Sequence, residues 1–110
     1  DKLNKYNCFK IAHTSLFLKK KMINKIKKYD IQYSIASDTD FILQLAKLKS
    51  LKYYYIDQNI VIMNIGGLST SLKNFLNKIF QDLKIYNKHF GINFIFFYLF
   101  KLSYKLYKML

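Results

Sequence analysis

Hydrophobic residues recur along this chain in two rhythms. Leu72, Phe75, Leu76, Ile79, Phe80 and Leu83 follow the i, i+3, i+4 spacing of one helix face, and predict a helix over residues 71–89 that ends at Gly91. Phe41, Ile42, Leu45 and Leu48 repeat the pattern and predict a second helix running to about Lys49, capped by Ser37 or Asp38. Met22, Ile23 and Ile26, set among lysines, predict a short surface helix over residues 19–28, closed by Tyr29-Asp30. The other rhythm is β-like. Tyr53-Tyr54-Tyr55-Ile56 and Ile60-Val61-Ile62-Met63 predict two strands about an Asp57-Gln58-Asn59 turn. Residues 7–18 predict one or two short strands, and residues 31–36 a brief extended approach to the helix after them. Gly66-Gly67 marks a loop with backbone demands, followed by Ser69-Thr70-Ser71 as helix caps.

The final stretch opens with Phe94-Ile95-Phe96-Phe97-Tyr98-Leu99-Phe100 and then sets Lys101, Lys105 and Lys108 along one helical face. Its apolar run is shorter than the roughly 20 residues that cross a bilayer. Two arrangements suit it: a helix packed on the domain, or an interfacial amphipathic helix lying against an anionic cytoplasmic leaflet. Strands and helices in this order predict a mixed α/β piece.

Composition alters that picture in two ways. The chain has 110 residues, 52% of them hydrophobic and 18% aromatic, which is enough to fold as one small domain and too apolar for a disordered tail. Its net charge of +13 would ordinarily point to nucleic acid or an anionic membrane. However, all 19 basic residues are Lys and all six acids are Asp, in a chain rich in Asn, Ile, Phe and Tyr, a bias that an AT-rich coding sequence produces. With no guanidinium to read phosphates and base edges in bidentate fashion, nucleic acid is disfavoured as a partner. The single Cys8 excludes an intrachain disulfide, and with His13 and His89 as the only histidines it excludes a zinc site of the usual spacing, which fits a reducing compartment. The opening Asp1 and the lack of a signal-peptide pattern fit a chain that starts mid-protein.

Because acids are scarce, Ser37-Asp38-Thr39-Asp40 stands out at a predicted helix start. One reading is a cap and a first-turn acid, both stabilised by the unpaired amides of the helix end. Another is a carboxylate held at a site rim to take a proton from a substrate hydroxyl. His13 is open to both a structural and a catalytic role, and Gly66-Gly67-Leu68-Ser69 is either a plain turn or a loop whose backbone approaches a ligand.

Taken in order, His13-Thr14-Ser15-Leu16-Phe17, Tyr29-Asp30, Ile35 to Leu45 around Asp38, Tyr55-Ile56-Asp57 and Gly66-Gly67-Leu68-Ser69 resemble the second half of bacterial family 2 glycosyltransferases, over about residues 8–90. That resemblance implies the C-terminal, acceptor-side half of a GT-A-like α/β domain over residues 1–89, followed by a basic aromatic C-terminal helix over residues 90–110. It implies an inverting transfer of sugar from a nucleotide-diphosphate-sugar donor to a saccharide or lipid-linked acceptor, with Asp38 as general base and Ser37 in the position where the family usually carries Glu. Asp40 matches a frequent second acid of the family, and His13, Ser37, Asp40, Gly66, Gly67 and Ser69 are implied to line the substrate side. Asp38-Thr39-Asp40 is also a literal Asp-x-Asp, the family's cation motif, but its place in the order fits the base. No metal or other cofactor is then expected within these residues, and Mg or Mn would belong to the complete enzyme. The implied location is cytoplasmic, peripheral on the cytoplasmic face of the inner membrane. The resemblance further implies that the fragment alone is inactive. The rival reading is a non-enzymatic basic membrane-binding or interaction module.

Overall fold

Asn4 and Asn7 decide the start of the chain. In the computed structural model, which describes residues 3–49, 51–62, 64 and 71–110, the Asn4 Oδ1 accepts from the amides of Tyr6 (2.8 Å) and Asn7 (3.2 Å), while the Asn7 Oδ1 accepts from the Asn4 amide (2.8 Å). Side-chain bonds of this kind offer the backbone an alternative to a β-ladder. The first of two 3-10 turns, Cys8–Lys10, follows directly, and His13–Ser15 forms the second, where strands were expected over residues 7–18. The Ser15 hydroxyl closes the second turn by donating to the Ala12 carbonyl at 2.9 Å.

Four α-helices follow among the described residues. The first, α1 (Lys20–Ile23), is a single turn and stops well short of Lys28. It has no side-chain cap, and lysines four apart, such as Lys21 and Lys25, repel along its continuation. The second, α2 (Ser37–Ala46), starts at the expected place but is not capped by Ser37 or Asp38: Ala36 is the capping residue and supplies no side-chain acceptor. A distant residue compensates. The Gln81 Oε1 accepts from the amides of Ile35 (3.0 Å) and Ala36 (3.1 Å), and its Nε2 donates to the Ser34 hydroxyl (3.1 Å). Gln81 belongs to α3 (Leu72–Phe90), which is capped by Ser71 and closed by Gly91 at φ 61°, a left-handed conformation that favours glycine. A 3-10 turn, Gly91–Asn93, leads into α4 (Phe94–Met109).

The expected α/β class is overturned. Among the described residues there is no strand, and the regular elements are all α-helices or 3-10 turns. Residues 51–62 run without regular structure, with Tyr54 95% exposed, so the expected hairpin has neither a third strand nor a covering helix. Two strands alone are marginal in water. The Gly66-Gly67 loop and Ser69 lie outside the described residues.

The core gathers where α2, α3 and α4 meet the first 3-10 turn, around Cys8, Ala36, Leu43, Ile85, Tyr86 and Tyr98. On α3 the residues turned inward are Asp82, Ile85 and Tyr86, roughly a quarter-turn from the predicted stripe. Leu72, Phe75, Leu76 and Phe80 therefore remain exposed. Among the described residues no helix is long and apolar enough to cross a membrane.

Candidate functional site

The described acids other than Asp57 each face a base, and these pairings lay out the site. Asp40 is wholly buried one turn into α2. Its Oδ1 accepts from the Lys88 ammonium (3.0 Å) and the His89 Nε2 (2.7 Å), and its Oδ2 from the Gln44 amide (2.7 Å). Lys88 also reaches Asp30 at 3.5 Å, so the approach to α2 and its first turn are both tied to the end of α3. Burial raises the Asp40 pKa, but the bonds from His89, Lys88 and Gln44 outweigh it and hold the carboxyl below its usual range. Burial, joined by the charges of Lys47 and Lys88, pushes His89 below its usual value against the pull of Asp40. His89 is therefore the neutral imidazole donating from Nε2, and its Nδ1 is buried without a partner.

This anchor has a pH consequence. Unfolding frees both groups to protonate at their ordinary values, 6.5 for His89 and 3.8 for Asp40, while the folded chain resists both. The unfolded state binds more protons as pH falls, so stability declines on acidification. The His89 contribution sets in as pH drops through about 6.5, and the stability that Asp40 confers above its ordinary value is lost at lower pH, through its folded pKa. Thermal melts followed by circular dichroism should show Tm falling from pH 7.5 toward 4, by roughly 5 °C or more for each kcal/mol lost. His89→Asn should flatten the part of that slope near pH 6. A melting temperature that is level across this range would refute the assignment.

Asp38 is placed differently. It lies on the exposed side of the same helix start, where its Oδ1 accepts from the Thr39 amide (2.9 Å) and its Oδ2 lies 3.0 Å from the His13 Nδ1. His13 must carry its proton on Nδ1 for that contact to be a hydrogen bond. The 3-10 turn His13–Ser15 presents the imidazole, and both side chains are part-exposed, 44% for His13 and 30% for Asp38. They sit on the wall of a cleft of about 220 Å³ that is also lined by Thr14, Thr39 and Tyr86 and by three lysines, Lys78, Lys101 and Lys105. Lys101 is buried against Asp82, with its ammonium 2.8 Å from Oδ2, and lies over the rings of Tyr86 (5.0 Å) and Tyr98 (5.7 Å). Burial lowers the Lys101 pKa; Asp82 opposes the shift, while nearby Lys105 and Lys78 add to it. Cys8 lies at the base of the cleft, and burial pushes its thiol up to about 12, which keeps it protonated and poorly nucleophilic.

The site residues proposed from sequence thus separate. His13 and Asp38 meet at one cleft. Ser37 is the part-buried first residue of α2. Asp40 is inaccessible and bonded to protein donors through both oxygens, so Asp38-Thr39-Asp40 is not arranged as a cation site. Among the described residues no group of three or more His, Cys, Asp or Glu converges on one point. Gly66, Gly67 and Ser69 lie outside the described residues. Sequence reasoning missed Lys88 and His89 as partners of Asp40, Gln81 as the brace of the helix start, and the lysines of the cleft. The available signal was the scarcity of acids: Asp82 is the one acid of α3, and a buried carboxylate needs a cation opposite it.

Comparison with protein-family models, with curated proteins and with solved structures finds no match.

Proposed function

We propose that this chain is the acceptor-side part of an inverting glycosyltransferase, with Asp38 as the general base. The observation that carries the reading is the Asp38–His13 pair on the cleft wall, 3.0 Å apart, where the carboxylate is fixed by a helix-start amide and remains open to a ligand. A base in this role needs rigid placement within hydrogen-bond reach of the hydroxyl it serves. The proton of the acceptor hydroxyl passes to the carboxylate as its oxygen forms a bond to the anomeric carbon. The bond from that carbon to the nucleoside diphosphate breaks, and the diphosphate leaves with the electron pair. His13 acts as a positioning residue, orienting the carboxylate through Nδ1. The sugar nucleotide and any divalent cation would be held by residues beyond these 110. Support comes from the local site and from the order of residues around it, and does not depend on a sheet.

Two measurements test this reading. The 110-residue chain alone should show no transfer from any nucleotide-sugar, and turnover by it would overturn the half-site assignment. In the complete polypeptide His13→Ala should lower kcat by roughly tenfold or more with KM for the acceptor little changed, because a misdirected base costs rate more than binding. An unchanged kcat would remove His13 from the mechanism.

A further inference from the structure

We infer that the outward face of α4 is a membrane-contact surface that seats the domain on an anionic lipid bilayer, in the plane of the interface. This inference is independent of the role given to Asp38.

The helix is inverted relative to a helix on the surface of a soluble domain. Its lysines occupy the side turned toward the domain: Lys101 is buried on Asp82, Lys105 lines the cleft, and Lys108 falls on the same side by helical spacing. The opposite side is mostly apolar. Ile95, Phe96 (69% exposed), Leu99 and Leu106 (64%) project away from the core, and Ile92 (97%) continues that face in the 3-10 turn before the helix. The polar residues on that side are Ser103, whose hydroxyl donates to the Phe100 carbonyl at 2.9 Å, and Tyr107 near the C-terminal end.

Three occupants are conceivable, and charge and chemistry choose among them. A protein partner, or a further part of the same polypeptide, would meet a surface with almost no hydrogen-bonding groups, whereas protein interfaces carry about one hydrogen bond per 100–200 Å². A second copy would bring another +13 against the first. A bilayer needs no hydrogen bonds from this face, and anionic headgroups attract the lysine-rich domain above it. Among the described residues no helix can cross a membrane, so α4 would lie in the interface with Tyr107 at the headgroup level. In this orientation the apolar side faces lipid and the lysine stripe faces the domain.

The test uses the full chain with vesicles of phosphatidylcholine alone and with phosphatidylglycerol added, read by co-sedimentation. Wild type should partition to the anionic vesicles and only weakly to the neutral ones. The double variant Leu99→Asp/Leu106→Asp, at exposed positions, should keep its helical circular dichroism and partition more than about tenfold less. The single variant Phe96→Ser, which adds no charge, should give an intermediate loss. Equal partitioning of wild type and the double variant would overturn the proposal, because adsorption would then run through lysines alone. So would a wild type that ignores vesicles, whether it is monomeric or forms a dimer that the double variant dissociates in sedimentation velocity.

Discussion

Asp38→Asn in the complete polypeptide should reduce transfer by about 10³-fold in kcat, within the range that a positioned general base contributes. The substitution is nearly isosteric. Its side-chain oxygen can still accept from the Thr39 amide, so the local bond that orients Asp38 survives. What disappears is the negative charge at the helix start, worth about 0.3–1 kcal/mol there, and the acceptor facing His13, whose imidazole must switch tautomer to accept from the new amide; the melting temperature should drop by only a few degrees. Asp38→Glu keeps the charge and moves it, and should fall between wild type and Asn. If Asp38→Asn retains activity at an unchanged level, the carboxylate is a helix-end acid and the base assignment fails. A loss that tracks the melting temperature, with no separate effect on kcat, would count the same way.

Asp40→Ala should act on the fold. It leaves the buried His89 Nε2–H and the part-buried Gln44 amide without their acceptor, and the Lys88 ammonium with Asp30 and solvent. A buried donor left unsatisfied costs about 1–3 kcal/mol, against a total of roughly 5–15 kcal/mol for a domain. The urea midpoint should therefore fall by a large fraction of its value, with residual helicity lost together with the near-ultraviolet signal. Lys88→Met is the comparator. The Lys88 side chain is 42% exposed, but Asp40 is wholly buried, so removing the ammonium leaves a buried carboxylate held by neutral donors and should cost about 1–3 kcal/mol. An Asp40→Ala midpoint close to that of wild type would show that Asp40 is not the anchor.

These two aspartates show where sequence reading succeeded and where it stopped. The helix start at Ser37-Asp38-Thr39-Asp40 and the helix from Leu72 were legible because apolar spacing and the scarcity of acids are local signals. Which acid would be buried was not local. It depends on Lys88 and His89, nearly 50 residues on, being carried to Asp40 by the packing of α3 on α2. Residues 53–62 failed for the complementary reason: β-propensity describes fit to a half-buried pleated surface, and no such surface is present for Tyr54 or Ile62. In the opening segment the Asn4 side chain bonds the amides of Tyr6 and Asn7 and sets a turn directly before the expected strands, and residues 8–10 and 13–15 are 3-10 turns. On α3 the period was right and the orientation was not, since the periodicity ranks hydrophobicity while the packing also had to accommodate Asp82.

The Asp82–Lys101 pair has a consequence for how such a sequence can change over generations. It joins the middle of α3 to the middle of α4, buried at 2.8 Å, in a hairpin whose remaining contacts are interchangeable aromatic and aliphatic groups. A sliding of one helix by a turn would move the ammonium about 5 Å from the carboxylate and bury two unmatched charges, so a single ionic key sets the register. Mutational drift toward Lys, Ile and Phe can then rewrite the rest of the hairpin while its alignment is inherited unchanged.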